Sequence, residues 1–177
     1  MKKKSSYLIF IIIIFFLVLY YLGVISQIKI AEENSGPFKV IYKNYIGDYG
    51  DISNIHTEIS EALKSNGINT TKSFGIYYDN PDEVEKSQLR SEVGFILNDE
   101  EYDELKSIQI DYNLKIIPIS KNIVIHFPYR GKISILIATF KVYPKLNNYI
   151  EEKGYTSSPI MEIYDSKNQE IIYMMEI

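Results

Sequence analysis

The chain contains no cysteine and no tryptophan, and only two histidines among 177 residues. Without cysteine there is no disulfide staple, no thiolate nucleophile and no lipid-modified cysteine to act as an anchor. His56 and His126 have no second histidine at ligand spacing, so a zinc site is not expected. The acidic run Asp99, Glu100, Glu101, Asp103 and Glu104 lacks the Asp-x-Asp-x-Asp-Gly loop that would surround calcium. It reads as a solvated helix face, and neither metal nor cofactor is expected. Glycine-rich phosphate loops, a nucleophile elbow and a Ser/His/Asp constellation are also missing. The formal charge is −4 with scattered basic residues, which gives no electrostatic footprint for nucleic acid.

One long hydrophobic run is present. Tyr7 to Ile25 carries no charge and, apart from Gly23, is built from Ile, Leu, Val, Phe and Tyr. A bilayer-crossing helix needs about 20 such residues. Lys2, Lys3 and Lys4 precede the run, and Tyr20 and Tyr21 near its far end match an aromatic belt. A cleaved signal peptide would have a shorter apolar region and a small-x-small site. Residues 1–26 are therefore expected to form an uncleaved anchor, with a transmembrane helix over 7–25. The positive-inside bias puts the N-terminus in the cytoplasm and the rest of this single-pass chain on the extracytoplasmic side. Residues 27–37, with Glu32, Glu33, Asn34, Gly36 and Pro37, read as a polar linker. Residues 38–177 are then one domain of about 140 residues.

That domain is written twice. Ile76-Tyr77-Tyr78-Asp79 and Glu162-Ile163-Tyr164-Asp165 each end in Tyr-Asp, and each follows a strand, a glycine turn and an amphipathic helix. Tyr45-Ile46-Gly47 is mirrored by Tyr129-Arg130-Gly131 at an offset of roughly 85 residues, too long for a solenoid period. Phe38–Ile46, Ser73–Asp79 and Glu92–Leu97 read as strands. Ile52, Ile55, Ile59 and Leu63 form one helical stripe, stopped by Asn66-Gly67. Asp99–Lys106 reads as a linking helix. Leu114–Ile119 and Asn122–Tyr129 read as a hairpin through Ser120-Lys121. A second long helix spans Ser134–Lys153, and Pro144 is expected to kink or break it. Ser158–Asp165 and Glu170–Ile177 close the fold. The fold class is thus α+β, a duplicated β-α-β-β domain with an antiparallel sheet and two main helices behind one transmembrane helix. Two such halves leave a groove, where a small molecule can bind.

Phe74-Gly75-Ile76-Tyr77-Tyr78-Asp79-Asn80-Pro81, Leu89-Arg90-Ser91-Glu92-Val93-Gly94 and Tyr155-Thr156-Ser157-Ser158-Pro159-Ile160-Met161-Glu162-Ile163-Tyr164 resemble the GyrI-like small-molecule-binding domain. This is also the effector-binding module of multidrug-sensing regulators. Phe127-Pro128-Tyr129, Ser134-Ile135, Ala138-Thr139, Val142, Pro144, Leu146 and Tyr149-Ile150 resemble, within that superfamily, a membrane-anchored animal receptor for autophagy of the endoplasmic reticulum. The resemblance implies a central pocket. It also implies that the glutamate at the Glu162 position selects cationic, aromatic ligands. No DNA-binding helices flank the domain, so the regulator role is not carried over.

Strand alternation adds a placement. If Met161 and Ile163 pack under the long helix, then Ile160, Glu162 and Tyr164 face the groove, with Phe74, Ile76 and Tyr78 on the opposite wall. A buried lone carboxylate must find a cation, a donor or a proton, and aromatic faces attract cations. The expectation is therefore a membrane-anchored domain that binds a small cationic or aromatic molecule. Two other readings stand beside it. One is hydrolysis of a strained or reactive small molecule in the same groove. The other is a non-catalytic adaptor that binds a protein partner.

Overall fold

A computed structural model describes residues 2–108 and 111–177, with side chains from Tyr7 onward. Helix α1 (Lys2–Tyr21) comes first, followed by strands β1 (Ile30–Ser35) and β2 (Phe38–Ile46), helix α2 (Ile52–Ser65), and strands β3 (Lys72–Tyr77) and β4 (Arg90–Leu97). Helix α3 (Asp99–Ser107) and strand β5 (Asn113–Ile117) lead to the second half, made of β6 (Ser120–Pro128), α4 (Lys132–Lys153), β7 (Ile160–Asp165) and β8 (Glu170–Glu176). The strands form one antiparallel sheet in the order β1-β6-β8-β7-β3-β4-β2-β5. The two β-α-β-β units therefore meet at its centre, where β3 pairs with β7.

Residues 27–37 are not a linker. Ile30 to Ser35 pair residue by residue with Ile125 to Ser120 of β6. Glu32 fastens this strand, accepting from Lys121 Nζ at 2.8 Å and from the hydroxyls of Tyr149 and Tyr155, each at 2.9 Å. The duplication extends to this strand. β1 precedes the first unit and pairs with the first strand of the second; β5 precedes the second unit and pairs with β2, the first strand of the first.

That exchange also removes the expected hairpin between β5 and β6. β5 lies at one edge of the sheet and β6 next to the other, yet only Pro118 and Ile119 separate them. A chain covers at most about 3.5 Å per residue, so the sheet must curl until its margins approach each other. The inside of the curl is lined by Val40, Phe74, Val124, Met161, Ile163 and Met174. Its outside carries the helices. Ile52, Ile55, Ile59 and Leu63 of α2 pack on one half, and Ala138, Val142, Leu146 and Ile150 of α4 on the other. α4 runs unbroken past Pro144, which sits on its exposed side.

α1 is apolar all round, and from Tyr7 to Phe16 every side chain is exposed. Among the described residues, no helix is long and apolar enough to cross a membrane. The described apolar part, about 15 residues at roughly 1.5 Å each, measures about 22 Å against a hydrocarbon core of about 30 Å. The Lys2–Lys4 side chains, on which the expected topology rests, lie outside the described residues.

Candidate functional site

Glu162 lies in β7, directly opposite Gly75 of β3 on one side and Tyr173 of β8 on the other. This row of three crosses the junction of the repeats on the outer, helix-bearing face. The face is the reverse of the one expected. Ile160, Glu162 and Tyr164 point toward α4, while Met161 and Ile163 point into the curl with Phe74 and Ile76. Tyr78 follows β3, 40 % exposed, and lines a hollow of about 560 Å³ inside the curl together with Ile76, Phe38, Met161 and Met174. There its hydroxyl pKa is pushed up to about 12, first by burial and then by the Glu92 charge. Of the residues expected to share one groove, the structure therefore unites Glu162, Tyr164 and Ile160 and separates Phe74, Ile76 and Tyr78 from them. The cause is strand parity: Tyr78 and Tyr164 match in sequence but not in pleat, and a slip of one residue reverses every side chain.

Tyrosines that the sequence reading passed over complete the site. Tyr143 of α4 donates its hydroxyl to Glu162 Oε1 at 2.5 Å, and Tyr164 donates to Oε2. The ring of Tyr173 stands edge-on to Tyr143, with centroids 5.9 Å apart. Its hydroxyl is buried and has no hydrogen-bond partner among the described residues. Tyr77 folds back over Gly75, where a Cβ would lie 2.7 Å from its hydroxyl oxygen. Only a residue without a side chain lets Tyr77 reach this position. Tyr49 holds Tyr77 from behind, edge-on at 4.8 Å, and is itself fixed by donating to the Arg90 carbonyl at 2.9 Å. Tyr129 packs edge-on against Tyr164 at 5.9 Å.

Signals for two of these residues were available. The turn after β7 is clamped by Asp165 Oδ1, which accepts from the amides of Lys167 and Asn168 at 3.0 and 2.9 Å. That turn sets the register that brings Tyr173 opposite Glu162. Tyr77 is one residue from the expected Tyr78, on the other face. Tyr143 carried no comparable signal, since it lies beside the buried stripe of α4 and not in it.

The electrostatics are one-sided. Glu162 is 5 % exposed, and burial raises its carboxyl pKa, while the hydroxyl donors Tyr143 and Tyr164 act to lower it. Among the described residues no Lys, Arg or His side chain pairs with it. His56 of α2 bonds through Nε2 to the Phe74 carbonyl at 3.0 Å, and burial lowers its pKa toward the neutral ring. The Tyr143, Tyr164, Tyr77 and Tyr173 hydroxyls are all held above their ordinary value, first by burial and then by the Glu162 charge. The site thus holds a buried acid whose charge is answered by dipoles alone. Arg90, which belongs to the same sequence stretch, is spent elsewhere, on a two-pronged bond to Asp79 at 2.7 and 3.0 Å.

A duplicated, curled α+β sheet with an acid and aromatic rings at its seam defines a small-molecule-binding module. The sequence profile of the GyrI-like small molecule binding domain matches residues 28–177, and the chain belongs to that family. It is 34 % identical over 167 residues to testis-expressed protein 264 homolog of Mus musculus, a match that covers 88 % of this chain and 50 % of the mouse protein. The chain therefore spans about half the length of this curated relative. In solved structures the fold resembles the regulator in the EcmrR–DNA complex, with a TM-score of 0.63 and 15 % identity over 99 % of this chain and 67 % of that one. It also resembles SAV2435 bound to tetraphenylphosphonium, with a TM-score of 0.51 and 11 % identity over 84 % of this chain and 93 % of that one.

Proposed function

We propose that the Glu162 site captures a small organic cation with aromatic groups, and that α1 holds the domain at a membrane. One observation carries the ligand reading: a buried carboxylate with tyrosine rings and hydroxyls around it and, among the described residues, no basic partner. Burying a charge without a counter-ion costs several kcal/mol, and hydroxyl donors offset part of that. A cation placed between the rings would offset the rest, since desolvated aromatic faces attract positive charge. Tyr143, Tyr164, Tyr77 and Tyr173 would supply those faces. Glu162 is enclosed by these tyrosines, so binding would require α4 and its Tyr143 to swing away from it.

Tetraphenylphosphonium is a suitable probe, since SAV2435 shares the fold and is bound to it. Titration calorimetry should show binding to the full chain and a loss of at least tenfold in affinity in Glu162→Gln. Equal affinities in the two proteins would sink the reading. A second reading, hydrolysis of a reactive small molecule, draws support from the raised carboxyl pKa, which suits a general acid. Mass spectrometry of a bound compound separates the two by its conversion.

The anchor reading rests on the exposure of an all-round apolar helix, which in a folded protein belongs in a core or a bilayer. Flanking basic residues can snorkel to make up the missing length. The lysine bias places the domain on the extracytoplasmic side. A C-terminal reporter active only in the cytoplasm should be silent; activity would reverse that topology.

A further inference from the structure

α4 has two apolar faces, and the sheet uses only one. Ser134, Ala138, Val142, Leu146 and Ile150 are buried beneath it. On the opposite side Ile133, Leu136 and Phe140 are exposed by 60, 60 and 74 %. Residues three, four and seven apart share one side of a helix, so the three form a continuous stripe. A helix face turned to water carries polar residues instead. Phe140 is more exposed than any described side chain of α1, where the highest value is 68 %.

The stripe begins where α1 ends. Arg130, just ahead of α4, stacks over the Tyr21 ring at 4.9 Å. Lys141, on the flank of α4, donates through Nζ to the carbonyls of Gly23, Val24 and Ser26 at 2.9, 2.6 and 2.7 Å. A Cβ on Gly23 would lie 2.7 Å from the Phe127 ring and 2.8 Å from Pro128, so the backbone packs there without a gap. These contacts tie the end of α1 to the first turns of α4 with no slack chain between them.

Charge points the same way. The chain as a whole carries −4, but from Lys132 to Ile150 α4 has Lys132, Lys141 and Lys145 and no acidic residue. Its only acids, Glu151 and Glu152, come at the far end. Lys141 is held by the carbonyls at the end of α1, which leaves Lys132 and Lys145 to attract anionic headgroups; an apolar stripe on a basic helix suits a lipid headgroup layer.

We infer that α4 lies along the membrane surface, with Ile133, Leu136 and Phe140 set into an anionic lipid interface. This rests on the reading of α1 as a membrane helix. The two hydrophobic elements then fix the domain by two contacts instead of one, which prevents it from turning freely about its tether. Tyr143, on another flank of the same helix, is thereby held close to the lipid surface, where amphiphilic cations concentrate.

The absence of cysteine allows a direct test on the full chain. Single substitutions Leu136→Cys, Ile13→Cys and Asn69→Cys would each carry an environment-sensitive fluorophore in vesicles of phosphatidylcholine with phosphatidylglycerol. Spin-labelled lipids then report depth by quenching. The label at position 136 should be quenched by shallow spin labels at least twofold more than the label at 69, and less so in phosphatidylcholine alone. Adding Phe140→Glu should roughly halve that quenching. Quenching at 13 with none at 136 overturns the α4 placement and leaves the anchor standing. No quenching at 13 overturns the anchor reading itself. A blue-shifted label at 136 that ignores the lipid quenchers would mean that the stripe pairs with a second copy, which also overturns the inference.

Discussion

At the scale of single residues, Glu162 combines the role proposed for it in binding with a cost in stability. Its pKa is raised in the folded protein, chiefly by burial, so the sign of its pH dependence is fixed. Its contribution is fully present below the unfolded value of about 4.3 and is lost as pH rises through the folded value. Glu162→Gln keeps the shape and removes the charge. Between pH 4 and pH 8 the wild-type urea midpoint should therefore fall relative to that of the variant. At pH 7 the variant should be the more stable of the two, with the higher Tm. Parallel pH profiles would show that the folded protein does not resist ionisation at this position. Binding-site residues that are unfavourable for the fold alone are a common trade.

At the scale of elements, β1 has the greatest consequence for the fold. It covers β6, and through Glu32 it reaches Lys121 and α4. An uncovered β6 would present a long edge of Ile123, Val124, Ile125 and Phe127, which invites pairing between chains. A chain begun at Ile28 should fold and remain monomeric by light scattering, while one begun at Phe38 should aggregate or lose its cooperative melt. Equal behaviour of the two would show that the Glu32 contacts are dispensable. The Glu32 carboxyl is held at about 2 by its bonds to Lys121, Tyr155 and Tyr149. This clasp is therefore complete above the ordinary glutamate range and is lost as pH falls toward 2.

At the scale of the whole molecule, the proposed ligand capture would require α4 to shift between closed and open arrangements over the sheet. The bond from Tyr143 to Glu162 belongs to the closed arrangement and would be lost on opening. Tyr143→Phe removes that bond and keeps the ring that faces a cation. It should destabilise the free protein by about 1 kcal/mol and tighten tetraphenylphosphonium binding by roughly fivefold, as expected when the non-binding arrangement loses a contact of its own. Weaker binding would show that the hydroxyl itself contacts the ligand and that opening is not the limiting step.

The amino-acid sequence by itself determined the elements and their duplication. Stripes such as Ile52–Ile55–Ile59–Leu63 and the Asn66-Gly67 stop act within a few residues, and so does the β-branched run of β2. It also marked Glu162, because an acid within an apolar strand is costly wherever that strand goes. Tertiary structure alone decided which face each strand shows and which strands meet. Strand parity turns on a single residue, so the matching Tyr-Asp pairs misled about Tyr78, and Tyr77 took its place. β1 looked polar because an edge strand beside Lys121 and two tyrosine hydroxyls can bury a glutamate, a partnership that no local pattern records. Tyr143 entered the site only because α4, packed on the second half of the sheet, brings this side chain to Glu162 of β7, and the placement of a helix on a sheet is set by packing between residues far apart in the chain.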